Sequence, residues 1–320
     1  MKPDLLQIGD VTERMHDAMD EAFAVRRLSD IDDFDAWAAE HGANVFGAIT
    51  NGHDGVKPEI MAGLPALRII SCYGVGYDSI DAVAAAERGI IVTHTPDVLN
   101  EDVADTAILL MLAAYRRLIR DDGLVRSGLW PEKGAAPLTR SASGRKVGIV
   151  GLGRIGLTIA RKLAAFDAEI LYHSRSRKDA QYRYFADLVE MAREAETLIC
   201  ITPGGSGTRH LVNRETMEAL GPEGILVNVS RGSVIDEEEM VAALRDGRLG
   251  GAGLDVFERE PEVPDALMKM ENVVLTPHVG SATVETRRAM GDLAVDNLLR
   301  FLKDGKALTP VPECSRLNGA

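Results

Sequence analysis

The sequence of 320 residues contains few cysteines, few aromatic residues and no long hydrophobic run. Its three cysteines, Cys72, Cys200 and Cys314, are too few for the disulfide framework of a small secreted domain. The longest apolar stretch, from Ala107 to Tyr115, is far shorter than the ~20 residues that a membrane-spanning helix needs. The first residues also lack the basic and apolar regions of a signal peptide. We therefore expect a cytoplasmic protein with reduced thiols.

Positive charge is scarce as well, because 36 Lys and Arg residues face 49 Asp and Glu residues and leave a net charge of −13. A chain with this charge has no general attraction for nucleic-acid phosphates or anionic membranes, so we expect neither as a partner. An apolar content of 46% is nevertheless enough to form a sizeable core. The length suggests about two domains.

Short apolar runs alternate along the chain with segments of helical period. This alternation predicts an α/β protein whose parallel sheets are covered by helices on both faces. The predicted strands are residues 5–8, 45–50, 67–71, 90–93, 147–150, 170–173, 197–201, 225–229, 253–256 and 273–275. The predicted helices are residues 101–120, 154–166, 185–193, 214–220, 237–246 and 283–303. We predict two Rossmann-like domains, a discontinuous one of residues 1–97 and 286–320 and an inserted one of residues 98–285.

A glycine motif joins a predicted strand to a predicted helix in the inserted domain. Gly151, Gly153 and Gly156 form the pattern G-x-G-x-x-G directly after the strand. Glycines at these positions allow a tight turn, close approach of a pyrophosphate, and close packing of the helix on the strand. The start of the helix offers unpaired amides and a positive dipole end to phosphates. The inserted domain is therefore predicted to bind a dinucleotide.

The end of the second strand of this unit indicates which dinucleotide is preferred. An NAD site has a carboxylate there for the ribose hydroxyls, whereas this strand is followed by Ser174, Arg175 and Ser176 and then by two more cations. Serine hydroxyls and an arginine suit a 2′-phosphate. The surrounding residues 140–178 contain nine basic and two acidic residues, a local charge of +7. We predict NADP(H) as the preferred cofactor and NAD(H) as the second choice.

Three later predicted strands are each followed by a side chain that could act in catalysis. Arg231 follows one strand, Glu260 lies shortly after the next, and His278 follows the third. Ligands of an open parallel sheet lie beyond the carboxyl ends of its strands, so we expect these side chains to converge. An arginine can hold a carboxylate, a histidine can protonate a ketone oxygen, and a glutamate can hold the resulting imidazolium. The pattern favours hydride transfer to a 2-oxoacid.

These motifs together resemble the D-isomer-specific 2-hydroxyacid dehydrogenases over nearly the whole chain. The matching stretches are residues 147–156, 227–234, 250–261 and 275–280. Within this family, residues 95–106 and the Ser-Arg-Ser segment are most similar to NADPH-dependent glyoxylate/hydroxypyruvate reductases and hydroxyphenylpyruvate reductases. The resemblance implies a two-domain enzyme whose discontinuous domain binds the substrate. It also implies a homodimer formed through the dinucleotide domain.

The resemblance also implies roles for individual residues. Arg231, Glu260 and His278 fall on the catalytic residues of the family, and Val75 and Gly76 fall on the loop whose amides hold the substrate carboxylate. Tyr73 and Trp130 are the further substrate residues, and Tyr77 and Arg287 are additional candidates for the side-chain pocket. The implied cofactor contacts are Gly151, Gly153, Arg154, Ile155, Gly156, Ser174, Arg175, Ser176, Thr202, Pro203, Thr208, Val229, Asp255 and Gly280.

The function expected from these observations is an NADPH-dependent reductase of small 2-oxoacids such as glyoxylate, hydroxypyruvate or aryl pyruvates, with His278 as the general acid. An alternative is a regulator or corepressor that senses dinucleotides on the same fold. Oxidation of formate is disfavoured, because the branch of the family that performs it has Gln where Glu260 stands. The seven histidines show no spacing typical of a metal site, so no metal is expected.

Overall fold

Strands and helices alternate along the chain as the apolar pattern predicts, in a computed structural model that describes residues 2–319. These residues form two compact units. The first contains the chain up to Leu99 and again from Thr283 onward, and the second is Asn100–Ala282. The predicted domain boundaries, at residues 97/98 and 285/286, lie within three residues of these positions.

The described part of the first unit contains a sheet of five parallel strands in the order β2-β1-β3-β4-β5. Its C-terminal segment lies along β5, where Val311 N donates to Val92 O (2.9 Å). The strands are β1 Asp4–Gln7, β2 Ala24–Arg27, β3 Val45–Asn51, β4 Ile69–Tyr73 and β5 Ile91–Thr93. The helices are α1 Glu13–Ala22, α2 Phe34–His41, α3 Pro58–Gly63, α4 Ala82–Glu87 and, from the chain's end, α13 Val284–Asp304.

The second unit contains, among its described residues, seven parallel strands in the order β12-β11-β10-β9-β6-β7-β8. The strands are β6 Lys146–Val150, β7 Glu169–His173, β8 Arg183–Phe185, β9 Thr197–Cys200, β10 Ile225–Asn228, β11 Gly251–Leu254 and β12 Val273–Leu275. The helices are α5 Asn100–Tyr115, α6 Leu118–Arg126, α7 Trp130–Lys133, α8 Arg154–Leu163, α9 Leu188–Glu194, α10 Arg214–Leu220, α11 Glu237–Arg245 and α12 Asp265–Met268. This is the doubly wound order, with its topological switch point between β6 and β9.

The central strands of this sheet are apolar on both faces because helices cover both. Ile149, Leu198 and Val227 are fully buried, and their strands read as continuous apolar runs rather than alternating ones. Side-chain caps begin several covering helices; Asp187 Oδ1, for example, accepts from Val189 N and Glu190 N at the start of α9 (2.7 and 3.0 Å). The predicted fold class is confirmed.

Several details of the predicted elements are wrong. Seven of the described helices, α1 to α4, α6, α7 and α12, were not predicted, and the helix expected from residue 185 begins at Leu188. The helix expected over residues 101–120 ends at Tyr115, because Arg117 adopts a left-handed conformation (φ 49°) and α6 begins after it. The helix expected to reach residue 166 ends at Leu163 and is followed by a 3₁₀ turn. Strands β2 and β8 were not predicted, since both are short edge strands without a clear apolar run.

Candidate active site

The glycine turn between β6 and α8 is shaped to admit a ligand. Gly151 has φ 106°, and a Cβ atom there would lie 2.8 Å from Ile201 O. A Cβ on Gly156 would lie 2.3 Å from Gly151 O, so this glycine allows α8 to pack on the turn. A Cβ on Gly153 would meet nothing within 4 Å, so that position faces open space. The turn therefore has the tight bend and the open approach that a pyrophosphate requires.

Two polar features of this turn fit a phosphorylated ligand. The helix α8 begins at Arg154 after Gly153, and no side chain caps its first amides. Thr202, across the switch point, has a buried Oγ1 with no hydrogen-bond partner among the described residues. The amides at a helix start and an orphaned hydroxyl both bind an anionic group favourably. The residues present therefore fit a dinucleotide, with the amides of Arg154 and Ile155 at its phosphates.

The loop from Pro203 to Thr208 closes on itself beside this turn. Thr208 Oγ1 donates to Pro203 O (2.7 Å), and Gly205 has φ 109°. On the neighbouring strand end, Val229 is 7% exposed and its N–H donates to Cys200 O (3.3 Å). All of these residues lie at the carboxyl ends of β9 and β10.

The loop after β7 carries the residues predicted to choose the cofactor. Ser174 Oγ donates to Ser176 O (2.7 Å), which folds the loop into a turn. Arg175 is exposed and forms no ion pair with any residue the structure describes, and the same holds for Arg177 and Lys178. No carboxylate stands at this strand end. The loop therefore offers cations that are available to an anionic ligand.

Most of the other cations in the basic segment 140–178 are already paired. Burial tends to raise the pKa of Glu196, but the N–H of Lys146 and the guanidinium of Arg145 outweigh it and hold that pKa below its ordinary value. The local positive charge is therefore largely neutralised, and attraction for a phosphate falls mainly on the loop after β7. The pairs are Arg140 with Glu196 and Glu223, Arg145 with Glu196, Lys146 with Glu169, Arg161 with Glu101, and Lys162 with Glu101 and Asp105.

His278 and Glu260 lie in contact at the carboxyl edge of the sheet. His278 Nδ1 is 2.6 Å from Glu260 Oε2, and Glu260 Oε1 accepts from Phe257 N (3.0 Å). The imidazole side chain is 44% exposed, whereas that of Glu260 is 18% exposed. Because Nδ1 faces the carboxylate, it carries a proton, and Nε2 is the ring atom left for a substrate. The pair has the arrangement of an acid–base catalyst with its orienting carboxylate.

Asp255 fixes the loop that carries His278. Its side chain is 2% exposed. Its Oδ1 accepts from Thr276 Oγ1 (2.7 Å) and Val279 N (2.8 Å), and its Oδ2 accepts from Gly280 N (2.8 Å). The sequence predicts that Asp255 contacts the cofactor, and its hydrogen bonds also hold the turn on both sides of His278.

Arg231 is supported by an asparagine that the sequence analysis missed. Asn228, 1% exposed at the end of β10, donates from Nδ2 to Arg231 O (2.9 Å). Its Oδ1 accepts from Ser230 N (3.1 Å) and Ser230 Oγ (2.7 Å). The sequence signal that could have identified Asn228 is its position as a polar residue at the end of the apolar run Ile-Leu-Val. Asn228 thereby fixes the backbone that presents the arginine.

A second charged cluster beside Glu260 was also missed. Arg209 Nη2 lies 2.6 Å from Glu258 Oε1, and His210 Nε2 lies 3.3 Å from the same oxygen. Burial tends to raise the pKa of Glu258, but the hydrogen bonds from His210 and Arg209 outweigh it and leave this pKa below its usual value. The cluster ties the 208–210 segment to the 257–260 segment.

In the first unit, Val75 and Gly76 follow β4 in a loop held by its neighbours. Thr95 N donates to Gly74 O (2.9 Å), and Val75 O lies 3.0 Å from His94 Nδ1. The N–H groups of Val75 and Gly76 donate to no other residue in the described structure. Two unpaired amides in sequence are suited to a carboxylate.

The remaining predicted substrate residues differ in how exposed they are and in which hydrogen bonds they already form. Tyr73 is 8% exposed, and its hydroxyl donates to Arg287 O (3.2 Å). Arg287 Cζ lies 5.8 Å from the centre of the Tyr73 ring. Tyr77 Oη donates to Glu313 Oε2 (3.1 Å). Trp130, on α7 of the second unit, is 57% exposed.

Neither a metal-binding group nor a membrane-spanning helix is found in the part of the chain described. No three or more His, Cys, Asp and Glu side chains there are placed to hold a metal ion. No described helix is both long and apolar enough to cross a bilayer.

Comparison with known proteins identifies the family. Residues 108–280 match the model of the D-isomer specific 2-hydroxyacid dehydrogenase NAD binding domain. The chain is 49% identical over 280 residues to a hydroxyphenylpyruvate reductase of Plectranthus scutellarioides, covering 87% of this chain and 88% of that one. It is 49% identical over 272 residues to a glyoxylate/hydroxypyruvate reductase of Arabidopsis thaliana, covering 85% and 87% of the two chains.

A solved structure agrees with these relatives. The NADPH-dependent glyoxylate/hydroxypyruvate reductase of Sinorhizobium meliloti, in complex with NADP and malonate, superposes with a TM-score of 0.92 at 46% identity and covers 98% of both chains. The predicted family and enzyme class are confirmed, and these reductases give no support to the alternative of a regulator. The chain belongs to the D-isomer specific 2-hydroxyacid dehydrogenases.

Proposed function

We propose that this dehydrogenase is an NADPH-dependent reductase that converts small 2-oxoacids to D-2-hydroxyacids. The observation that carries the proposal is the 2.6 Å contact between His278 Nδ1 and Glu260 Oε2. It lies at the same sheet edge as the glycine turn. The three relatives described above are reductases of hydroxyphenylpyruvate or of glyoxylate and hydroxypyruvate by name, which supports this substrate class.

NADP(H) is the cofactor that the residues of the second unit fit best, with NAD(H) as the second choice. The amides at the start of α8 and the Thr202 hydroxyl would hold the pyrophosphate side. Ser174, Arg175 and Ser176 would hold the 2′-phosphate, since a guanidinium binds a phosphate with two parallel hydrogen bonds. The NADP in the Sinorhizobium meliloti structure supports this preference. Bound NADPH supplies the hydride that reduces the ketone carbon.

The protein's own residues would bind the oxoacid and move one proton. Arg231 of the second unit would hold a carboxylate bidentately. In the first unit, the amides of Val75 and Gly76 are suited to donate to a carboxylate oxygen. His278 would donate the Nε2 proton to the ketone oxygen as that oxygen becomes a hydroxyl. Glu260 would keep the imidazole in the required orientation and hold it while it carries two protons.

The substrate class can be tested by steady-state kinetics. We expect NADPH oxidation with glyoxylate, hydroxypyruvate and hydroxyphenylpyruvate, with kcat/KM higher for NADPH than for NADH. Glycolaldehyde, which has a carbonyl but no carboxylate, is the control and should react at least about 100-fold more slowly, because it cannot occupy Arg231. Binding of NADPH without turnover of any oxoacid would favour the dinucleotide-sensing regulator instead.

We also propose that the protein is a homodimer formed through its second unit. Thirteen large hydrophobic side chains are exposed in the described residues, and six of them lie between residues 109 and 138. Such a concentration of exposed apolar side chains is typical of an interaction surface. These six are Leu109, Leu118, Ile119, Val125, Trp130 and Leu138, which are 49% to 99% exposed.

Light scattering after gel filtration tests the dimer. The wild type should have twice the mass of one chain, and the double variant Ile119→Asp/Val125→Asp should have the mass of one chain, because two buried charges would oppose association. Leu308→Asp, at a residue 48% exposed in the first unit, is the control and should stay dimeric. A wild type that elutes as a monomer would contradict the proposal.

The cysteines support a cytoplasmic location. Cys72, Cys200 and Cys314 are all buried and form no disulfide in the described structure. Burial raises the pKa of the Cys200 thiol to about 12, which keeps it protonated and unreactive. Thiols of this kind are typical of a reducing compartment.

A further inference from the structure

Two tyrosines hold both ends of the loop that follows β7. Tyr172 is fully buried; its hydroxyl accepts from Lys178 N (2.9 Å) and donates to Lys178 O (3.2 Å). The hydroxyl of Tyr184 donates to Ser174 O (3.3 Å). The segment 174–178 is therefore tied at its first residue by one phenol and at its last residue by the other.

The sheet places the two phenols side by side. Tyr172 on β7 and Tyr184 on β8 are register partners in a parallel pair, so their side chains leave the same face. Their ring centres are 5.3 Å apart. Strand β8 is in turn fixed by two hydrogen bonds between Arg183 and Glu194 (2.6 and 2.7 Å). The short edge strand β8 thus brings a second tyrosine to the loop.

The loop presents its charged side chains outward from this support. Ser176 O accepts from Ser174 Oγ (2.7 Å), which fixes the turn from within. Arg175 is exposed and has no partner in the described structure, so its position is set by the backbone that carries it. Tethering of that backbone at residues 174 and 178 therefore limits where the guanidinium can reach.

We propose that Tyr172 and Tyr184 are positioning residues that determine selectivity for a cofactor with a 2′-phosphate. This inference rests on the proposed preference for NADP(H). A loop that is ordered before binding loses less conformational entropy when it closes on a phosphate. NAD(H) has a hydroxyl in place of that phosphate and gains little from an ordered cationic loop. Loosening of the loop should therefore weaken NADP(H) binding and leave NAD(H) binding nearly unchanged.

Three single variants separate this role from a general structural one. Tyr172→Phe keeps the ring and removes both hydrogen bonds to Lys178. Arg175→Ala removes the side chain proposed to bind the 2′-phosphate, so it shows how much NADP⁺ binding is lost when that contact is absent. Tyr115→Phe is the matched control. This buried tyrosine bonds to Glu196 O (3.2 Å) and Thr197 Oγ1 (2.8 Å) at the amino end of β9, whereas the loop that carries Arg175 follows the carboxyl end of β7.

Calorimetry with NADP⁺ and NAD⁺ gives the dissociation constants, and kinetics gives KM for NADPH and NADH. We expect Tyr172→Phe to weaken NADP⁺ binding by about tenfold, the scale of one or two lost hydrogen bonds, with NAD⁺ binding and kcat within about twofold. Arg175→Ala should have an equal or larger effect. Tyr115→Phe should lose thermal stability without a change in the ratio of the two dissociation constants.

The outcomes distinguish the inference from the proposed function. A wild type that binds NAD⁺ more tightly than NADP⁺ would overturn the cofactor proposal itself. A wild type that prefers NADP⁺, with Tyr172→Phe keeping the same ratio, would overturn only the role of the tyrosines. If Tyr172→Phe does not fold, Tyr184→Phe decides in the same assays, because its hydroxyl is only half-buried and contacts only Ser174 O in the loop.

Discussion

Replacement of His278 with alanine should lower kcat for oxoacid reduction by about a thousandfold, within the 10²–10⁴-fold range of a positioned general acid. Nδ1 of His278 lies 2.6 Å from Glu260 Oε2, which leaves Nε2 as the ring atom proposed to protonate the ketone oxygen. Without it, the developing alkoxide has to be protonated by water. Steady-state kinetics with glyoxylate and NADPH, at saturating concentrations of both, measures the loss.

Two further variants control this experiment. His278 has φ 52°, a conformation that asparagine adopts more readily than alanine, so His278→Asn should lose the same activity with less disturbance of the backbone. His41→Ala removes another histidine that is 44% exposed beside a glutamate, Glu40, in the first unit, and should keep normal rates. Near-normal turnover in His278→Asn would show that another group protonates the substrate.

The variant Gly232→Ala should lose most activity and much stability, although it adds a single methyl group beside Arg231. A Cβ atom at Gly232 would lie 1.9 Å from Phe257 C, 2.0 Å from Phe257 O and 2.3 Å from Glu258 N. These are backbone atoms, so the 257–260 segment has to move. That movement breaks the Phe257 N–H bond to Glu260 and misdirects the partner of His278.

The expected size follows from the geometry. A displacement of about 1 Å at reacting groups costs ~100-fold in kcat, and overpacking of a dense region lowers the free energy of unfolding by about 3 kcal/mol. Kinetics and urea unfolding measure the two effects. Gly123→Ala, in α6, is the control. Its Cβ would meet nothing within 4 Å, so its free energy of unfolding should be unchanged or slightly higher than that of the wild type. Equal stability of the two variants would mean that the 257–260 backbone yields freely.

The parallel sheets were predictable because their signals are local. Each central strand is a short apolar run, and helices such as α8 have an apolar face, so periodicity gives their element type. The short helices α1 to α4 of the first unit were not predicted. The strand β10 and the helix α10 lie within one residue of their predicted ends. The short edge strands β2 and β8 were missed because an edge strand needs no apolar run, and their pairing with β1 and β7 forms only in the folded sheet.

The sequence by itself determined the glycine turn, the absence of a carboxylate after β7, and the placing of Arg231, Glu260 and His278 after three neighbouring strands. Only the tertiary structure decided that His278 meets Glu260, that Asp255 holds the histidine loop, and that Tyr172 and Tyr184 support the loop after β7. Residues such as Asp255 and Gly280 are 25 positions apart, and no local pattern encodes such contacts. Contacts between residues distant in sequence also decide which cations of the basic segment 140–178 are paired. Carboxylates from elsewhere in the unit largely neutralise the basic residues from 140 to 162, whereas the cations of the loop after β7 stay available.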